Sequence, residues 1–292
     1  MLKVLIVEGN TLAYRELMVD LGKSPQGILY QRVLESLDNS LDCTIVYPAD
    51  EEAALPSASE LDAYDGVVWT GSALNIYDGG PAIDRQIDFM KLCFETGTRL
   101  FGSCWGLQMA TVALGGVVEA NKKGREIGIA RDIAVTQAGA EHPLYRGKAQ
   151  QFDAVAVHLD HVVALPEGST VLSGNAISEV QAVEIKHGSS IFWGVQYHPE
   201  FDLDYIGGII RRYREPLLAE GFCETEEAVE EWAQDFEAVE RDSSRTDLIE
   251  KRELGEDVTD CSLRLLELSN WLSFLANETA KDLISDGVGA GS

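Results

Sequence analysis

Apolar residues in the first half of the chain arrive in short unbroken runs, separated by longer stretches with helical spacing. Lys3-Val4-Leu5-Ile6-Val7 is β-branched and apolar without alternation, which suits a strand buried on both faces, and Glu8-Gly9-Asn10 closes it with turn residues. A helix is expected over Gln26 to Leu37, a strand over Cys43 to Tyr47 stopped by Pro48, and a further strand within Tyr64 to Ser72 that runs into a small-residue turn. Ala73 to Asp78 then reads as a loop. Pro81 to Thr96 has Ile83, Ile87, Met90 and Phe94 near helical spacing and Gly97 as its stop. The short run Thr98 to Phe101 leads into Gly102-Ser103-Cys104-Trp105-Gly106-Leu107-Gln108, and helical periodicity continues from Met109 to Leu114 until Gly115-Gly116. This rhythm implies an α/β fold with an open, mostly parallel sheet and helices on both faces. Such sheets carry their sites at the carboxyl ends of strands, where Gly71-Ser72 and Cys104 fall.

From Gly116 to about Gly194 the pattern shifts to shorter, turn-rich strands, expected over residues 128–136, 154–158, 170–173, 181–186 and 190–193. Gly194-Val195-Gln196-Tyr197-His198-Pro199-Glu200-Phe201 closes that region, and a helix from about Tyr205 should end before Pro216. Beyond it the sequence changes character. Thr225 is a fair N-cap, Val229, Trp232, Phe236 and Val239 recur at spacings of three and four, and Cys261, Leu265, Leu268, Leu272 and Leu275 form a second stripe. The chain is therefore expected to divide into residues 1–221 and a C-terminal helical extension over 222–292. The second stripe suits the chain's own core or a twin subunit of a homo-oligomer, and the tail Gly287 to Ser292 is expected to be disordered.

Composition narrows the function classes. A length of 292 residues with 45% hydrophobic side chains supports a sizeable core. The net charge is −26, and residues 222–292 alone hold 19 acidic against 6 basic side chains. That balance repels nucleic acid and anionic membranes and reads as a solvated acidic surface. Five cysteines, odd in number, widely spaced and without a C-x-x-C pair, argue against a disulfide framework and a zinc site. No signal-like leader and no run of 18 apolar residues occur, so a cytoplasmic protein with reduced thiols and no membrane role is expected.

Cys104 is the first candidate for chemistry. It sits on a sharp strand-to-helix turn, where unpaired backbone N–H groups and the macrodipole favour thiolate. Gly102 and Gly106 lack the Cβ that would crowd the turn, leaving the Trp105 N–H to face a developing oxyanion. A Gly-x-Cys-x-Gly match alone divides evenly between a catalytic and a structural cysteine. A thiolate nucleophile also needs a base and a group to orient that base. Of the five histidines, His198 has the built context, with Pro199 stiffening the turn and Glu200 two residues on. His158 and His161 are substrate-loop candidates; His142 and His187 read as solvated or core-satisfied.

The two motifs containing Cys104 and His198, taken together, strongly resemble the class I (triad) glutamine amidotransferases, which have a flavodoxin-like fold. Thr70 to Asp78 resembles the oxyanion loop in the amidotransferase domain of GMP synthases. The resemblance covers roughly residues 1 to 215. It implies Cys104 as nucleophile on the side-chain amide of L-glutamine, His198 as general base and acid, and Glu200 as its orienter. It further implies an oxyanion hole from the N–H groups of Gly71 and Trp105, with Gln108, Ser72 and His158 near the substrate and Glu126-Ile127-Gly128 and Asp160 close by. Ser72 stands where many members have a second glycine. No phosphate loop of either common type occurs, so no cofactor is expected and an ammonia-accepting synthetase would bind in trans. Three readings remain open: a glutaminase or amidotransferase, a γ-glutamyl peptidase acting on a small γ-glutamyl compound, and a regulatory binding protein.

Overall fold

The computed structural model describes residues 1–289. Its strands are β1 (Lys3–Val7), β2 (Asp42–Val46), β3 (Gly66–Trp69), β4 (Arg99–Ser103), β5 (Val117–Ala120), β6 (Glu126–Val135), β7 (Gln151–His158), β8 (Asp160–Ala164), β9 (Ser169–Gly174), β10 (Ala182–His187) and β11 (Ser190–Val195). Its helices are α1 (Leu12–Asp20), α2 (Gln26–Leu37), α3 (Ala58–Leu61), α4 (Pro81–Glu95), α5 (Trp105–Ala113), α6 (Gln137–Glu141), α7 (Leu203–Arg212), α8 (Arg214–Ala219), α9 (Glu226–Arg241), α10 (Thr246–Lys251), α11 (Glu256–Thr259), α12 (Cys261–Arg264) and α13 (Leu266–Gly289).

Among the described residues nine strands form one sheet in the order β2-β1-β3-β4-β11-β10-β9-β6-β7. The pairs β1–β2, β1–β3, β3–β4 and β4–β11 are parallel, and the later strands join antiparallel, as their turn-rich sequence requires. β5 and β8 make a separate antiparallel ribbon.

The unbroken apolar run of β1 is explained by burial on both sides. Val4 and Ile6 face one layer with Val68, Phe101 and Trp193, while Leu5 and Val7 face the other with Trp69, Leu100 and Phe192. α4 and α5 cover the second layer through Ile83, Phe89, Met90, Phe94, Trp105 and Leu107. The first layer is covered by Tyr30 and Leu34 of α2 and by Leu268, Trp271, Leu272 and Leu275 of α13. The second apolar stripe thus packs on the chain's own core. The Trp271 ring lies 5.8 Å from that of Phe101, and Phe274 stacks on Trp193 at 4.6 Å. Gly66 is required here, since a Cβ would come within 2.6 Å of Leu275. Fully buried Glu267 accepts from the Tyr197 hydroxyl at 2.7 Å and lies 3.1 Å from the Lys148 ammonium. α9 packs on α7, with Val229, Ala233, Phe236 and Val239 against Ile206, Ile209 and Ile210.

Several elements differ from the sequence reading. α1 was absent from it because only Arg15 and Met18 are buried, so no apolar stripe marks it. β5 and β8 bury one or two residues each and give no alternation to read. The helix expected from about Tyr205 is α7, which ends before Pro216 at Arg212, but a further short helix, α8, follows it and holds Pro216 in its first turn, where the missing N–H costs nothing. The expected single helix through Cys261 is α12 and α13, parted at Leu265 (φ −90°, ψ 7°). Hydrogen bonds from the N–H groups of Leu265 and Ser269 still carry the ladder across. α13 continues to Gly289, and the rest of the expected tail, residues 290–292, lies outside the described residues. Among the described residues no helix is long and apolar enough to cross a membrane.

Because Trp271 fills the layer beneath β4, Trp271→Ala is expected to destabilise the protein by about 3–5 kcal/mol in urea unfolding followed by circular dichroism. A loss below about 1 kcal/mol would mean that α13 is not part of the folded core.

Candidate active site

Cys104 follows the last residue of β4 and is the N-cap of α5, with φ 49° and ψ −96°. That backbone lies in the positive-φ region an L-residue rarely adopts, at a cost of about 1–3 kcal/mol. Close approach of strand and helix fixes it. A Cβ on Gly102 would come within 2.9 Å of the Gly106 backbone, and one on Gly106 would meet Trp69 at 2.9 Å. The Cys104 N–H donates to the Val195 carbonyl of β11 at 2.7 Å, clamping the turn to the neighbouring strand.

The sulfur lies 3.8 Å from the Val157 carbonyl and faces the Trp105 N–H and the Gln196 amide. Burial pushes the thiol pKa up, the charges of Asp160 and Glu200 push it further, and the Trp105 N–H and Gln196 pull it down without prevailing. This is opposite to the expectation from the helix N-terminus alone. A terminal dipole contributes about 0.3–1 kcal/mol, whereas Cys104 is only 5% exposed and its thiolate would lose most of its hydration. Burial thus disfavours a standing thiolate, and a nucleophilic role for this sulfur would call for a base to take its proton.

His198 is the candidate for such a base. Its Nδ1 lies 2.7 Å from Glu200 Oε1, its ring stacks on Phe201 with centroids 4.0 Å apart, and its buried Nε2 has no hydrogen-bond partner. A Cβ on Gly71 would sit 2.6 Å from His198 Cε1, so only glycine lets the ring lie against that backbone. Glu200 Oε2 accepts from the Ser103 hydroxyl at 2.9 Å, and Ser103 bonds in turn to the Tyr30 hydroxyl of α2.

The loop carrying Gly71 is held by residues that sequence reading treated only as a turn. Asn10 accepts from the Ala73 N–H at 2.9 Å and donates to the Gly71 carbonyl at 3.3 Å. The Thr70 hydroxyl accepts from the Gly9 N–H and donates to the Gly71 carbonyl. Glu8, fully buried, accepts from both N–H groups of Asn10 and from the Gly27 N–H at the start of α2. Burial pushes its carboxyl pKa up although those donors pull it down. An acid directly after a buried strand was the available signal.

Cys104 opens onto a cleft of ≈ 220 Å³ lined also by Ser72, Gln108, Arg125, His158 and Asp160. The Gln108 amide donates to the Asp160 carbonyl at 3.5 Å. His158 lies at the cleft with both ring nitrogens engaged, Nε2 3.0 Å from Glu126 and Nδ1 3.0 Å from the Asp160 carbonyl. It therefore shapes the wall. Burial raises the Asp160 carboxyl pKa, opposed by the Tyr77 hydroxyl, His158 and Arg125. Arg125 forks Glu220 of the segment after α8 and lies over Tyr213. His161 lines a different cavity with Lys123 and Glu179. His142 pairs with Glu184 at 3.1 Å, and His187 meets the edge of Phe94. Among the described residues no group of three or more His, Cys, Asp or Glu is placed to hold a metal ion.

Comparison with known proteins gives the geometry its relatives. The profile of the glutamine amidotransferase class-I family matches residues 17–208. The chain is 35% identical over 285 residues to a γ-glutamyl-L-1-hydroxyisopropylamide hydrolase of a Pseudomonas species, covering 96% of this chain and 95% of that protein. It is 31% identical over 185 residues to a GMP synthase of Streptomyces avermitilis, covering 63% of this chain but only 32% of that enzyme. In fold it resembles a glutamine amidotransferase from Thermotoga maritima, with a TM-score of 0.58, 17% identity, and coverage of 94% of this chain and 97% of that one.

The raised thiol pKa sets a pH test. Iodoacetamide labelling of Cys104, followed by peptide mass spectrometry, should be slower by about tenfold or more in His198→Asn at neutral pH. In that variant labelling should recover only above the ordinary thiol range, since a thiol with a raised pKa stays protonated below it. Equal rates in both proteins would separate His198 from the thiol.

Proposed function

The chain belongs to the class I glutamine amidotransferase family, and from that premise we propose that it is a cysteine-nucleophile hydrolase of γ-glutamyl amides, releasing glutamate and a small amine. The observation that carries this reading is the likeness to the γ-glutamyl-L-1-hydroxyisopropylamide hydrolase along 96% of the chain. That span takes in the helices after residue 221, of which α13 is part of the core beneath β4. The likeness to the GMP synthase covers 185 residues and favours a second reading, in which the amide is that of L-glutamine and the ammonia passes to a synthetase in trans.

The chemistry is common to both. His198 Nε2 takes the Cys104 proton, and the thiolate attacks the γ-carbonyl carbon. The resulting oxyanion is met by the N–H groups of Gly71 and Trp105. His198 returns the proton to the leaving nitrogen as the C–N bond breaks, giving an amine or ammonia and a γ-glutamyl thioester on Cys104. Water, deprotonated by His198, then attacks the thioester, the C–S bond breaks, and glutamate leaves as the thiol is re-protonated. Glu200 holds the imidazole throughout, with its Nδ1 at 2.7 Å. Gln108, Ser72 and His158 shape the wall that receives the γ-glutamyl group. A regulatory protein without catalysis has little use for a strained, buried cysteine beside a carboxylate-oriented histidine.

The test compares the purified chain on the γ-glutamyl amide of a small amino alcohol and on L-glutamine. Turnover of the amide should exceed that of glutamine by about tenfold or more, and Cys104→Ala should lower it by at least about 10⁴-fold. Turnover of glutamine alone would put the amidotransferase reading first; undiminished turnover in Cys104→Ala would end both.

A further inference from the structure

Glu200 is almost wholly buried, and each of its oxygens faces a donor from a different part of the chain. Oε1 faces His198 Nδ1 at 2.7 Å; Oε2 faces the Ser103 hydroxyl at 2.9 Å. Ser103 itself is bonded to the Tyr30 hydroxyl, and both residues are fully buried. The proton positions follow from valence. An ionised carboxylate only accepts, so the Nδ1–H of His198 and the hydroxyl hydrogen of Ser103 both point at it. The Ser103 oxygen, its one hydrogen spent, accepts from the Tyr30 hydroxyl. Tyr30 also feels the Glu200 charge directly, in line with a donor directed along this chain.

We propose that Tyr30 and Ser103 are positioning residues of the reaction: a two-hydroxyl relay from α2 through the end of β4 that fixes the Glu200 carboxylate and, through it, the Nδ1–H tautomer of His198. That tautomer leaves Nε2 bare to accept the Cys104 proton. Without the relay Glu200 Oε2 would be a buried oxygen short of a donor, free to rotate or to take up a proton and release the ring. The relay also spans three elements that sequence keeps far apart. Ser103 precedes the nucleophile by one residue, so a single turn carries both the sulfur and the clamp for its base.

This proposal rests on Cys104, His198 and Glu200 working as a catalytic unit, and the experiment separates the two ideas. Initial rates on the preferred γ-glutamyl amide or glutamine are measured for the full chain and for Tyr30→Phe, Ser103→Ala, their double variant and Cys104→Ala. Melting is recorded beside them to confirm folding. Ser103→Ala is expected to lower kcat by about tenfold and Tyr30→Phe by about threefold or more, with KM changed less than about twofold. Because both hydroxyls serve one oxygen, the loss in the double variant is expected to depart from the product of the single losses. Full kcat in folded Tyr30→Phe and Ser103→Ala, with Cys104→Ala inactive, overturns the relay and leaves the catalytic unit standing. Losses that multiply, or that fall on KM, overturn it too, since they describe two independent structural contacts. Activity in Cys104→Ala removes the premise instead.

Discussion

The parallel register of β4 against β11 is the constraint on which the site depends. Ser103 pairs with Val195, and the next N–H along, that of Cys104, donates to the Val195 carbonyl. This places the end of the strand carrying the sulfur beside the end of the strand leading to His198, although the two residues lie far apart in sequence. Side chains alternate along a strand, so a slip of one residue would turn every core contact of either strand to the opposite layer. The apolar residues on both faces of β4 and β11, Phe101 and Trp193 on one side, Leu100 and Phe192 on the other, forbid that slip.

Burial then decides the chemistry of the turn. A cysteine exposed at a helix N-terminus would tend toward thiolate, but at 5% exposure desolvation and two nearby carboxylates outweigh the dipole. Burial at this depth favours the neutral thiol. The same low-polarity surroundings sharpen the His198–Glu200 contact and make every donor to Glu200 matter. A positive φ at Cys104 and glycines at 71, 102 and 106 are what such close assembly requires of the backbone.

The C-terminal helices show how charge and packing can share one segment. Their acidic excess lies largely in exposed positions, as the relative burial of α9 indicates, while Val229, Phe236, Leu268, Trp271 and Leu275 face inward. Asp235 and Glu267 are exceptions: Asp235 is buried against Lys251 and Arg252, and Glu267 against Lys148 and Tyr197. The Glu267–Lys148 pair is weak evidence for stability, because both groups give up their hydration. It does fix α13 against the strand end that leads to His198.

Local pattern alone determined the α/β rhythm, the strands β1, β3 and β4, the helix after Cys104 and the two apolar stripes, because each is written in a few consecutive residues of strong periodicity. The motifs around Cys104 and His198 were legible for the same reason: glycine, proline and reactive side chains fall at fixed short offsets. Elements with little buried surface, α1, β5 and β8, left no such mark. Neither did the partners of the site. Tyr30, Glu8 and Asn10 lie on other elements, and apart from the acid directly after β1 nothing in their own neighbourhoods announces a role, since their contacts are made only when the sheet closes. The direction of the Cys104 shift was likewise decided by the tertiary structure: the helix end is local, but the depth at which the whole fold buries it is not.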